Sequence, residues 1–131
     1  MTPGFLTPLD ARKIAPQTWR LLAPLRYASA IAGAVIEVPA GFVTDFDSIP
    51  RWLPLTYAFL ANRIQEEAAV HDFLYRRESL VSVSRKIADD VLYEAMETQG
   101  EPWLARTLIW AGVRAGGWTA YHQRGLTERP A

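Results

Sequence analysis

Two stretches of helical periodicity, Ile64 to Arg77 and Ser84 to Gln99, are separated only by Glu78 to Val83. A connection that short makes the two helices antiparallel neighbours, so it limits which faces can meet. On the first, Ala68, His71, Asp72 and Tyr75 share a face, and Ala68 and Ala69 are small enough for close helix approach. On the second, Ser84 is a good N-cap and Gly100 a left-handed stop. Lys86, Asp90, Glu94 and Glu97 recur at i, i+4, i+8 and i+11, which predicts a solvated stripe with an i,i+4 ion pair. Asp89 falls on a different row with Leu92, Tyr93 and Met96. A carboxylate among apolar neighbours is costly to bury unless something satisfies it, so Asp89 is the informative member of the Asp89–Asp90 pair.

The pattern before Pro50 is different. Five of the nine prolines precede it, among strand-like runs. Trp19 to Leu22 and Leu25 to Ala28 read as one strand interrupted by Pro24. Ala34 to Val38 reads as another, ended by Pro39-Ala-Gly41, with Phe42 to Thr44 continuing beyond the turn. Leu55 to Leu60 reads as a short helix. Pro102 opens a third main helix, Trp103 to about Arg114, ending at Gly116-Gly117. The expected fold is α+β: a small N-terminal antiparallel sheet or set of ribbons, then three main helices. It forms one domain over 1–131, with a β-rich part at 19–50, a helical part at 51–118 and a tail at 119–131.

Half of the residues are apolar and 21% are charged, a globular balance with enough material for one core. Fourteen basic residues cancel fourteen acidic ones, which disfavours a nucleic-acid partner. Twelve of the basic residues are Arg, read as surface ion pairs. With no cysteine, disulfides, thiolate metal sites and cysteine nucleophiles are excluded. The N-terminus lacks a signal-peptide pattern and no run reaches membrane-spanning length, so the product is expected to be made in the cytoplasm.

The candidate reaction centre is His71 with Asp89. In the antiparallel pair Asp89 can meet His71, with Tyr75 or Tyr93 adding a hydrogen bond. A carboxylate then fixes the imidazole tautomer, and the other nitrogen can take a proton from water. Asp72, about 100° further round the helix, can hold a hard cation such as calcium beside the reacting atom. A His bonded to an Asp is equally a familiar buried polar tie, and that alternative stays open. In the loop Gly41 to Pro50, Asp45 and Ser48 either supply oxygen ligands or cap turns, and Asp47 reads as a cap. Phe42, Phe46, Ile49 and Trp52, with Ser48, would form the rim of a cleft. His122 reads as an exposed tail residue.

Other chemistries fall away. His-Asp phosphohydrolases and zinc peptidases need more histidines than His71 and His122. There is no glycine-rich phosphate loop and no GxSxG elbow. The tryptophans at 103, 110 and 118 read as core and interface rather than as a sugar platform, because Trp103 and Trp110 are two helical turns apart, in a packing row.

Three segments carry a family resemblance: Val38-Pro-Ala-Gly-Phe-Val-Thr-Asp-Phe-Asp-Ser-Ile-Pro50, Ala69-Val-His-Asp-Phe-Leu-Tyr75 and Ser84-Arg-Lys-Ile-Ala-Asp89. Together, from about Trp19 to Trp118, they resemble the phage and prophage family known as domain of unknown function 1353. That family usually has a small residue at the position of Asp47. The resemblance implies a phage or prophage origin, often among genes for virion assembly or tails, and no particular activity. A second, local likeness concerns chemistry. His71-Asp-Phe-Leu-Tyr75 is similar to the His-Asp-x-Cys-Tyr helix of secreted phospholipase A2, and Ala88-Asp89 to that family's Cys-Asp pair. This implies His71 as general base, Asp89 as its orienting partner, Tyr75 as a supporting donor and Asp72 as a calcium carboxylate. The cysteines and the glycine-rich calcium loop of that family are absent here, so Gly41 to Pro50, with Asp45, would have to replace the loop.

The resulting expectation is a hydrolase with lipid ester as substrate, acting on a cell envelope. The alternative is a virion component (tail or head–tail), bound to other virion proteins, in which the dyad only stabilises the fold. Nothing in the sequence specifies an oligomeric state.

Overall fold

The computed structural model describes residues 1–16, 18–44, 64–76 and 83–116. Among the described residues six short strands precede three helices: β1 Gly4–Phe5, β2 Ala11–Ala15, β3 Thr18–Leu21, β4 Leu25–Ser29, β5 Ala34–Val38, β6 Val43–Thr44, α1 Gln65–Tyr75, α2 Arg85–Thr98 and α3 Trp103–Gly116. The strands form two antiparallel three-stranded sheets, ordered β1-β4-β5 and β2-β3-β6. The α+β expectation therefore holds.

Pro24 does more than interrupt a strand. The residues before it belong to the second sheet and those after it to the first, so the proline marks a change of sheet. A residue without an N–H cannot continue a ladder, and the chain turns there. The Pro39–Phe42 turn returns the chain to β3: Phe42 N–H donates to Pro39 O at 3.2 Å, and Gly41 takes φ +88°, a conformation that a side chain would oppose. Leu21 then pairs with this turn on both sides, donating to Phe42 O and accepting from Gly41 N–H.

β1 and β2 have no counterpart in the sequence reading. β1 has two residues, and β2 leaves Arg12, Lys13, Ile14 and Ala15 exposed, so neither has a buried face to set a period-2 pattern. In β5, by contrast, Ile36 and Val38 are buried and Glu37 points outward.

The core has two parts. Leu21, Leu25, Tyr27, Ile36, Val38 and Phe42 of the sheets pack on Ala69, Val70, Phe73, Leu74, Ala88, Val91 and Ala95 of α1 and α2. A second cluster, Ile64, Ala68, Leu92, Met96, Ile109 and Val113, joins the three helices. Each fully buried Leu, Ile or Phe contributes about 1.5–3 kcal/mol of transfer free energy. The alanines at 68, 69, 88 and 95 let the helices approach closely.

The ends of α2 follow the sequence. Ser84 Oγ accepts from Ile87 N–H at 3.2 Å. At the other end Gly100, at φ +81°, donates to Glu97 O, and Glu101 N–H donates to Met96 O, the paired bonds of a Schellman stop. Pro102 O accepts the first bond of α3 from Arg106 N–H. The expected helix at Leu55 to Leu60 lies outside the described residues. No helix among the described residues is long and apolar enough to cross a membrane.

Candidate functional site: a buried His–Asp–Tyr cluster between helices

α1 and α2 meet with the expected faces together. His71 Nε2 lies 2.7 Å from Asp89 Oδ1, and Tyr75 Oη donates to that same oxygen. The His71 and Tyr75 rings, one helical turn apart, have centroids 4.2 Å apart and are inclined at 45°. Tyr93, the other tyrosine considered, has the Arg106 guanidinium over its ring and does not join the cluster.

The second oxygen of Asp89 faces cations. Arg114 Nη1 donates to Oδ2 at 2.9 Å, and Arg85 Nη1 lies at 3.5 Å. Arg85 also donates to the Val113 and Arg114 carbonyls at 3.0 and 3.3 Å, where it meets the negative end of the α3 dipole. One carboxylate therefore joins all three helices. The sequence reads both arginines as members of surface ion pairs, and the structure instead turns them onto the buried Asp89. Arg85 had a signal, its i,i+4 spacing to Asp89. Arg114 had none, since only the tertiary packing of α3 on α2 brings it there.

Burial by itself would raise the Asp89 carboxyl, but hydrogen bonds and charge from His71, with bonds from Tyr75 and Arg114, outweigh it and hold the group below its ordinary value. Asp89 is thus an anion, which accepts hydrogen bonds and donates none. The hydrogen between Asp89 and His71 then sits on Nε2. Burial, then the bond to Asp89 and its charge, push the Tyr75 phenol up, so it stays a donor. The cluster is sealed: His71 and Asp89 are 0% exposed and Tyr75 1%.

Asp72 is placed apart from this pair. Its carboxylate accepts from Arg76 Nη2 at 3.1 Å, one turn along the helix. Arg76 also reaches Val43 O at 3.4 Å and lies 5.2 Å from the Phe42 ring centroid, tying the end of α1 to β6. Calcium takes six to eight oxygen ligands, and among the described residues no group of three or more His, Asp or Glu side chains is arranged to hold a metal ion. The described donors therefore do not fit a calcium ion, and Asp72 has a guanidinium for a counter-ion.

Phe42, expected on a cleft rim, is instead in the core, with its ring edge-on to Phe73 at 5.3 Å. Asp45, Phe46, Asp47, Ser48, Ile49, Trp52 and His122 lie outside the described residues.

The row read as a solvated stripe on α2 is corrected at Glu94. Lys86 and Asp90 form the expected i,i+4 pair at 2.6 Å, and Glu97 is exposed. Glu94 is buried: Oε1 accepts from Tyr27 Oη and Ser29 Oγ at 2.9 Å each, and Oε2 from Ile31 N–H at 3.1 Å. The first sheet packs over that end of the helix, and period alone cannot reveal it. Nearby, Glu67 on α1 is 1% exposed, and among the described residues neither of its carboxylate oxygens has a hydrogen-bond partner. Burial, and secondarily the proximity of Glu66 and Glu101, push its carboxyl up to about 8.

Over residues 19–113 the chain matches the family described as Protein of unknown function (DUF1353), and it belongs to that family. No curated protein and no solved structure matches it.

Proposed function

We propose that this chain is a phage- or prophage-encoded hydrolase in which His71 activates water and Asp89 orients it, with a lipid ester of the cell envelope as substrate. The observation that carries the reading is the short His71–Asp89 contact with Tyr75 on the same oxygen, since it sets the tautomer a general base needs. In this reading Nδ1 takes a proton from water as the water oxygen attacks the ester carbonyl. The same proton then passes to the departing alkoxide, giving an acid and an alcohol. The hydrogen bonds from His71, Tyr75 and Arg114 keep Asp89 ionised. Asp72, paired with Arg76, is a positioning group unless an added cation displaces the guanidinium. The phage setting and an association with virion proteins rest on the family resemblance.

One observation favours a second reading, a virion component in which the cluster is a structural tie: His71 has no exposed surface. Turnover requires that the cluster open to water, whereas a tie works best sealed.

The test is hydrolysis of mixed phospholipid vesicles by wild type, His71→Ala and Asp89→Asn, with calcium or with chelator. Loss of turnover in both variants with folding retained supports the dyad. A calcium requirement that disappears in Asp72→Asn would assign Asp72 to the metal. No turnover by well-folded wild type rejects the hydrolase and leaves the tie.

A further inference from the structure

Trp103 and Trp110 share a face of α3, as their spacing requires, but that face is not core. Trp103 is 63% exposed. The adjoining row of the helix is exposed along its whole length. Leu104, Leu108, Ala111 and Ala115 recur at intervals of four, three and four, with Leu104 61% and Leu108 45% exposed. The other side of α3 is already used, since Ile109 and Val113 pack on Leu92 and Met96 of α2. A surface helix ordinarily turns polar side chains outward, and this row has none. A 4-3-4 apolar row is instead the seam by which one helix packs on another. No charge interrupts it, so covering it desolvates no ion.

The row also says what covers it, because it is graded. Its N-terminal half is bulky (Leu104, Leu108) and its C-terminal half is small (Ala111, Ala115). Beside a parallel copy, leucine would crowd leucine at one end and alanine would leave a gap against alanine at the other. Beside an antiparallel copy, Leu108 covers the partner's Ala111 and Leu104 covers the partner's Ala115, so volumes match in every layer. A two-fold axis supplies that reversal. The area is of the right order as well. Each member of a stable pair buries roughly 800 Å2, of which Trp103, Leu104, Leu108 and Ile31 (45% exposed) already supply roughly half. Ile31 joins Trp103, Thr107 and Trp110 along the side of the row, and the two alanines extend it. We infer that this face of α3 is a homodimer interface, in which α3 packs antiparallel on α3 of a second copy across a two-fold axis between positions 108 and 111. His71, Tyr75 and Asp89 lie on the other two helices, so the interface is independent of the hydrolase reading.

The experiment is sedimentation velocity of the full chain between about 1 and 100 µM, with circular dichroism melts to confirm folding. Wild type is expected to pass from one to two chain masses over that range. Leu108→Glu, which sets a carboxylate at the centre of the seam, should stay monomeric and folded. Ala111→Leu, which faces leucine with leucine, should dimerise about tenfold more weakly. The double variant Leu108→Ala/Ala111→Leu exchanges the large and small sides and should recover wild-type association, which a structural effect within one chain would not do. Wild type monomeric throughout, or a dimer indifferent to Leu108→Glu, would overturn the inference. So would a double variant no better than Ala111→Leu. Unfolding of the dilute chain by Leu108→Glu would show the row covered from within and overturn it too.

Discussion

Asp89 and Glu94 are five residues apart on one helix, both buried, and they are satisfied by opposite means. Asp89 is met by a histidine, a tyrosine and two arginines drawn from all three helices. The described partners of Glu94, Tyr27, Ser29 and the Ile31 amide, are all neutral donors on the first sheet and its turn. The difference separates two uses of a buried carboxylate. At Asp89 counter-charges keep the anion ionised and hold an imidazole in one tautomer, which is a condition for chemistry. At Glu94 neutral donors fasten a sheet to a helix, and the end of the molecule that also holds the buried Glu67 is rich in acid groups.

The comparison can be broken by mutation and pH. The largest effect is expected at Asp89→Ala, which removes the carboxylate that His71, Tyr75 and two guanidiniums share. Urea unfolding should show a loss of about 3–5 kcal/mol, the usual cost of orphaning a buried charge cluster. A loss under 1 kcal/mol would mean the cluster is not held as described.

The second effect reports on Glu67. Its folded value, about 8, is raised above the ordinary 4.5, so its stabilising contribution is complete below pH 4.5 and is lost as pH rises through 8. The melting temperature should therefore decline between about pH 5 and 8, by an amount corresponding to a few kcal/mol. Glu67→Gln should flatten that decline. Asp89 has the opposite sign: its depressed value gives stability that is present above its ordinary value of 3.8 and lost as pH falls through the folded one. An unchanged slope in Glu67→Gln would remove Glu67 from the account.

Glu94→Gln comes third, at about 1–3 kcal/mol, because a side-chain N–H2 would face donors on one of the two oxygen positions. An equal loss at Asp89 and Glu94 would erase the distinction drawn between them. Smallest is Lys86→Ala, below about 1 kcal/mol in thermal unfolding, since the ammonium is largely exposed.

The same contrast shows what a sequence displays. The His71–Asp89–Tyr75 contact was legible because helical period places an acid on an apolar row and a short connection dictates antiparallel packing. The caps of α2 were legible from Ser84 and Gly100, which act locally. Glu94 was not, because its row begins with a true surface pair and only the docking of β4 and its turn buries it. Arg114 reaches Asp89 from a separate helix, a relation no local pattern records. Trp103 and Trp110 show the converse: a spacing that marks a shared face does not say whether that face is covered.

The central claim is that Asp89 fixes the tautomer of His71 by accepting a hydrogen bond from Nε2. Nitrogen-15 correlation spectra of the imidazole at pH 8 test it most directly. The account predicts a protonated Nε2 and an unprotonated Nδ1 in wild type, with that preference lost in Asp89→Asn. A proton on Nδ1 in wild type, or a tautomer indifferent to Asp89→Asn, would contradict it.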